Sequence, residues 1–136
     1  MKKILIDSGP LIALFDASDK YHAKAVNFIK NNQHQLITTI ASVTETLHIL
    51  DFNRNAQIDF IEWIHRGGVE IAHIDNTDFG RLKELTEKYH DLPMDFADSC
   101  LVYLAEKNNL DTIATIDRDF TIYRINGRKK FKIVLS

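Results

Sequence analysis

The chain has 136 residues, 45% of them hydrophobic and 26% charged, which is typical of one globular domain and excludes a disordered segment or a repeat array. The lone cysteine, Cys100, excludes an internal disulfide and any zinc pattern that needs two cysteines, and it favours a reducing compartment. The formal net charge of −2, from 17 basic and 19 acidic side chains, argues weakly against a nucleic-acid partner.

The chain shows no internal boundary and no export signal. Glycine and proline are scarce, at five and two, and no linker or repeat divides the sequence, so we expect a single domain over residues 1–136. The N-terminal lysines are followed by an apolar stretch that Asp7, Pro10 and Asp16 interrupt. The longest apolar run, CLVYLA, is far shorter than the roughly 20 residues that cross a bilayer. These features predict a cytoplasmic protein with no membrane contact.

Short strands and helices alternate along the chain. Residues 3–6 predict a strand, and the turn formers from Asp7 to Pro10 mark its passage into a helix. Four more strands are predicted, at residues 36–40, 69–74, 112–116 and 131–135. Five more helices are predicted, around residues 23–29, 42–50, 58–64, 77–85 and 95–107. The expected fold class is therefore α/β, a three-layer α/β/α sandwich around a mostly parallel central sheet.

Acidic residues end two of the predicted strands. Asp7 follows ILI, and Asp117 follows IATI. Each could be an ordinary helix cap or turn former. In a parallel sheet, however, both would emerge at the carboxyl edge, where the ligands of such sheets bind.

Three more acids lie in predicted helices. Asp98 sits in a run that is apolar on nearly every face, where an unpaired carboxylate would be costly. Asp95, three residues earlier, shares its face and could cap the helix after Pro93. Glu45 is either a functional acid or the capping-box partner of Ser42.

Convergence of these acids would require a positive charge among them. The carboxylates of Asp7, Glu45, Asp98 and Asp117 would repel one another, and within these motifs the sequence offers only Arg118 as a basic neighbour. A cluster of oxygen ligands suits Mg²⁺ or Mn²⁺. The chemistry predicted from the residues is therefore metal-assisted hydrolysis of a phosphodiester.

Other kinds of active site are not supported. The six histidines lack metal-ligand spacing, and the sequence contains no Gly-rich phosphate loop and no GxSxG motif. Cys100 lies in an apolar helix without the polar setting of a nucleophile. A phosphoaspartyl enzyme would need a second acid where Gly9 stands.

Four segments together resemble the PIN domain, and residues 3–136 resemble the single-domain VapC-like toxins of bacterial and archaeal toxin–antitoxin pairs. The segments are IDSGPLIALFDASDKYHAKA, ASVTETLHIL, PMDFADSCLVYLAEK and IATIDRDFTIYR. The resemblance implies a Mg²⁺- or Mn²⁺-dependent endoribonuclease, often a homodimer, that a cognate antitoxin holds inactive.

The resemblance also implies roles for individual residues. The family's acidic quartet corresponds to Asp7, Glu45, Asp98 and Asp117. The accessory positions correspond to Asp95, Asp119, Ser8 and Thr115, and the two hydroxyl residues are expected to hydrogen-bond the metal ligands.

The C-terminal segment is basic, and its role stays open. Residues 118–136 contain six basic residues against one acid, Asp119. They would either contact an RNA backbone or form a solvated edge strand whose lysines discourage aggregation. Two further alternatives are a housekeeping nuclease for RNA or DNA without an antitoxin and a catalytically silent binding module with the same architecture.

Overall fold

A computed structural model describes residues 2–135 and shows a five-stranded parallel sheet. The strands of this sheet are β1 (Lys3–Ile6), β2 (Gln35–Thr39), β3 (Glu70–Ala72), β4 (Thr112–Ala114) and β7 (Lys132–Val134). The strand order is β3-β2-β1-β4-β7, and every neighbouring pair is parallel. The predicted parallel sheet is confirmed, with β1 at its centre.

Within the described residues, six α-helices connect and cover the strands. Their bounds are α1 (Ser8–Phe15), α2 (His22–Asn31), α3 (Ile40–Ile49), α4 (Arg54–His65), α5 (Phe79–Lys88) and α6 (Phe96–Lys107). Because successive side chains of a strand point to opposite faces, neighbouring residues of β1 enter different cores. Leu5 packs in a cluster with Leu85 and Leu101 of α5 and α6. Ile6 packs in a second cluster with Leu11 of α1 and Phe60 of α4. The helices therefore cover both faces, as predicted.

A two-stranded hairpin follows the fourth sheet strand. Its strands are β5 (Arg124–Ile125) and β6 (Lys129–Lys130), which pair antiparallel. Asn126 and Gly127 have positive φ values of 54° and 72°, the backbone that a tight hairpin turn requires. This hairpin was not predicted, because its strands are only two residues long and lack an apolar alternation.

Several element boundaries differ from the prediction. Ser42 does not begin α3, which starts at Ile40 directly after β2, so the proposed capping box does not form. Asp19 accepts a hydrogen bond from the Tyr21 backbone N–H in the turn before α2, which begins at His22.

The apolar residues of α4 do not all enter the core. Phe60 is fully buried, but Ile58 and Ile61 are more than half exposed. These two side chains therefore lie outside the core, on the surface of the helix. Within residues 2–135, none of the helices has the length and apolar character needed to span a membrane.

Candidate metal centre

Three aspartates meet at the carboxyl edge of the central strands. Asp7 directly follows β1, Asp117 follows the neighbouring β4, and Asp98 lies in the first turn of α6. One carboxylate oxygen from each lies within 4.8 Å of those from the other two. Residues that are 110 positions apart in the chain therefore share one small volume.

Asp7 is buried and held from two sides. Its Oδ1 accepts a hydrogen bond from the Ser8 backbone N–H (2.7 Å), and its Oδ2 accepts one from the Thr115 hydroxyl (2.9 Å). Burial raises the pKa of Asp7 to about 6, although both hydrogen bonds oppose the shift. Thr115 Oγ1 also accepts from the Asp117 backbone N–H (3.0 Å), so one hydroxyl links two of the acids.

Among the clustered acids, Asp98 has the most strongly raised pKa. Burial raises its pKa to about 8, and the charges of Asp7, Asp95 and Asp117 add to the effect. The Tyr123 hydroxyl donates to Asp98 Oδ2 at 3.2 Å. Burial and like charge therefore both oppose ionisation of this carboxyl in the absence of a cation.

Asp95 combines a structural role with a place at the site. It is the N-cap of α6, and its Oδ1 accepts a hydrogen bond from the Asp98 backbone N–H (2.8 Å). The capping interpretation of the sequence is therefore confirmed. Asp95 nevertheless lines the same cavity as Asp7 and Asp98, so its charge acts on the cluster.

Glu45 extends from α3 to the wall of this cavity. Its Oε1 accepts a hydrogen bond from the Ser8 hydroxyl, which fixes the carboxylate against the start of α1. Burial raises the pKa of Glu45, and the neighbouring Asp95 and Asp117 raise it further, against the effect of Ser8. Glu45 is thus committed to the site rather than to a helix cap.

Asp117 directly precedes a short 3₁₀ helix over residues 118–121. Its Oδ1 accepts a hydrogen bond from the Asp119 backbone N–H (2.9 Å), so it also caps this turn. Burial and the adjacent Asp117 raise the pKa of Asp119, which lines the cavity as well.

The charge balance of the site fits a bound cation. The cavity has a volume of about 340 Å³, and six carboxylates line it. Among residues 2–135, no basic side chain forms an ion pair with any of these six acids. Arg118, the nearest basic residue in the sequence, lies in the turn after Asp117 and makes no such pair. Clustered oxygen ligands without a basic partner are the donor set of a hard divalent metal ion.

The structure brings the predicted residues together. The cavity is lined by Asp7, Ser8, Glu45, Asp95, Asp98, Asp117 and Asp119, and Thr115 lies behind Asp7. Sequence reasoning missed Tyr123, because nothing in the pattern distinguishes it from an ordinary core aromatic.

Two lysines of the basic C-terminal segment lie away from the site. Lys129 pairs with Asp111 at 3.2 Å, and Lys132 lies beside Thr112, both at the amino end of β4. The acids lie at the carboxyl end of the same strand, so these lysines do not border the cavity. Their place in and beside β7, an outer strand of the sheet, favours the edge-strand interpretation.

Comparison with known proteins agrees with this architecture. Ribonuclease VapC26 of Mycobacterium tuberculosis is 25% identical over 134 residues, which cover 96% of this chain and 99% of that protein. The crystal structure of VapC20 of M. tuberculosis, a sarcin-ricin loop cleaving toxin, matches with a TM-score of 0.79 and 18% identity. The match covers 88% of this chain and 93% of the VapC20 chain.

A toxin–antitoxin complex from Klebsiella pneumoniae matches with a TM-score of 0.65 and 18% identity, over 86% of this chain and 89% of that one. At such identities these structures establish the fold. The PIN domain family matches residues 4–126, which include all eight of the predicted site residues. This match spans most of the sequence and confirms the resemblance, and the chain therefore belongs to the PIN domain family.

Proposed function

We propose that the protein is a Mg²⁺- or Mn²⁺-dependent endoribonuclease, one nuclease domain over residues 1–136, that acts in the cytoplasm as the toxin of a toxin–antitoxin pair. The observation that carries the proposal is the meeting of Asp7, Asp98 and Asp117 within 4.8 Å, without a basic partner among residues 2–135. The ribonuclease and toxin descriptions of the related proteins supply the substrate and the biological role.

The proposed division of labour follows the geometry. Asp7, Asp98 and Asp117 would hold the metal ion, which supplies positive charge that activates a water and offsets the charge building on the phosphate. Glu45, fixed by Ser8 at the wall of the cavity, would either bind the metal ion as a fourth acid or orient the attacking water. Thr115 holds Asp7 in place through its hydroxyl. Asp95 and Asp119 add negative charge at the rim and strengthen the attraction for the cation.

Two sets of exposed apolar side chains support partners of the proposed kinds, an antitoxin and a second copy of the chain. Phe79 and Phe96 stack on each other at 5.7 Å, and Phe96 shares a groove with Ile40 and with Glu45 of the site. A second set lies near the end of α3 and along α4, and comprises Ile49, Phe52, Ile58 and Ile61. The stacked Phe79–Phe96 pair and the groove beside it are the kind of exposed apolar surface at which protein partners bind.

Removal of divalent cations tests the catalytic proposal. Purified protein should cleave a structured RNA in Mg²⁺ or Mn²⁺, and an excess of EDTA should abolish the cleavage, because the carboxylates alone provide no positive charge at the phosphate. Product formation on a denaturing gel across a metal series measures the effect. Cleavage that persists in EDTA would contradict the proposal, and absence of divalent-ion binding by calorimetry would favour the silent binding module.

Expression in cells separates a toxin from a housekeeping nuclease. We expect growth arrest on induction, and relief when a small DNA-binding protein encoded beside or overlapping this gene is co-expressed. Growth curves and the mass of the co-purified complex measure the result. A gene without such a neighbour, together with unaffected growth, would favour the housekeeping nuclease.

A further inference from the structure

Tyr123 is a fully buried tyrosine whose hydroxyl reaches the metal centre. Its O–H donates to Asp98 Oδ2 at 3.2 Å, and none of its surface is exposed to solvent. It lies two residues after the 3₁₀ helix that follows Asp117, so this hydrogen bond joins the segment carrying one acid to the helix carrying another.

The ring of Tyr123 is held in place by its neighbours. Tyr89 and Phe120 contact it edge-on, with ring centroids at 5.1 and 5.0 Å. The Arg124 guanidinium donates to three successive carbonyls, those of Thr121, Ile122 and Tyr123 itself, at 2.8 to 3.1 Å. Because the ring is packed on two sides and its backbone is held by Arg124, the Tyr123 hydroxyl has a fixed position.

A phenylalanine would fill this space without burying a polar group. Phe120 and Phe131 show that the same cluster accommodates phenylalanine rings in edge-on contact. A buried hydroxyl costs free energy unless it is hydrogen-bonded, and Asp98 is the acceptor that this hydroxyl has among the described residues. The hydroxyl therefore serves Asp98 rather than the packing of the core.

We propose that Tyr123 is a positioning residue of the metal centre, whose hydroxyl fixes the orientation of the Asp98 carboxylate and so raises the affinity of the site for its divalent cation. The inference rests on the proposed function, because it needs Asp98 to be a metal ligand. Partners that orient a ligand from outside the coordination sphere typically change metal affinity or activity by about 10- to 100-fold.

The test compares Tyr123→Phe with wild type and with Tyr103→Phe as the matched control. Tyr103 also donates its hydroxyl to a buried aspartate, Asp78, but that pair lies outside the cavity. We expect Tyr123→Phe to raise the calorimetric Kd for Mn²⁺, and the Mn²⁺ concentration for half-maximal RNA cleavage, by about 10-fold or more. Cleavage should recover most of its rate at saturating Mn²⁺, whereas Tyr103→Phe should bind Mn²⁺ like wild type.

A spectroscopic measurement gives a second readout. Binding of Mn²⁺ to the wild type should perturb the near-ultraviolet absorbance of tyrosine, and Tyr123→Phe should lack this difference spectrum while Tyr103→Phe retains it. If Tyr123→Phe fails to fold, the wild-type spectrum decides, since Mn²⁺ binding without a tyrosine signal would overturn the inference.

The possible failures are distinguishable. Equal Mn²⁺ affinity in wild type and Tyr123→Phe would overturn the role of Tyr123 and leave the metal centre standing. An equal loss of affinity in Tyr103→Phe would also overturn it, since the effect would then be one of general stability. Wild-type protein that binds no Mn²⁺ would overturn the proposed function and this inference together.

Discussion

Replacing Asp98 with asparagine is expected to abolish metal-dependent RNA cleavage while leaving the protein folded. The amide side chain would have nearly the same shape as the carboxylate and could still accept a hydrogen bond from Tyr123, but it would lack the charge that holds a cation. Because loss of a mere supporting contact costs about 10- to 100-fold, loss of a ligand should reduce the cleavage rate by at least about 100-fold. In EDTA the variant should unfold at the same temperature as wild type or higher, since its amide cannot take on the charge that burial and the neighbouring carboxylates oppose.

Asp59→Asn is the matched control for this substitution. Asp59 lies on the exposed face of α4, outside the cavity, and its replacement makes the same change in net charge. We expect Asp59→Asn to match wild type both in its cleavage rate, measured on gels, and in its thermal unfolding temperature. If Asp98→Asn cleaved RNA at the wild-type rate, Asp98 would have no part in the mechanism.

The second large effect is a loss of stability of the metal-free protein with rising pH. Burial raises the pKa of Asp7 to about 6 and that of Asp98 to about 8, from 3.8 in both cases. Between pH 4 and 8 the folded state therefore binds more protons than the unfolded state, and the free energy of unfolding falls as the pH rises. For Asp7 alone the shift corresponds to about 3 kcal/mol, or roughly 10 °C in Tm.

A divalent cation should reverse this loss. It binds the ionised carboxylates of the folded state, so the stabilisation by Mg²⁺ or Mn²⁺ should be large near pH 8 and small near pH 5. Thermal unfolding at several pH values, with EDTA and with Mn²⁺, measures both effects. Asp98→Asn should weaken the pH dependence, whereas Asp59→Asn should retain it. If the metal-free protein instead became more stable between pH 5 and 8, each acid would have to be stabilised in its ionised form by a partner within the folded protein, which would contradict this prediction.

The sequence predicts the fold well where a single pattern determines an element. The alternation of apolar strands with amphipathic helices was enough to predict the parallel sheet, and the acids at the ends of β1 and β4 indicated its functional edge. This worked because parallel strands bring their carboxyl ends to one side regardless of exact boundaries. Asp7 and Asp117 could therefore be paired without knowledge of the loops between them.

Features that depend on tertiary contacts were not accessible from the sequence. Ser42 and Glu45 have the spacing of a capping box, but α3 begins two residues earlier and Ser8 binds Glu45 from another helix. No local pattern encodes a partner that is 37 positions away. Tyr123 was missed for the same reason, because its role is set by the position of Asp98 on α6.

The distance in sequence between Asp7 and its partner Thr115 has a consequence for biosynthesis. The two ends of this hydrogen bond are 108 residues apart, and Asp117 lies further still toward the C-terminus. A nascent chain can hold no complete acid cluster until Asp117 has left the ribosome, since β1 pairs with β4 only after both have emerged. Ribosome-bound fragments that end before Asp117 are therefore expected to be inert toward the RNA around them.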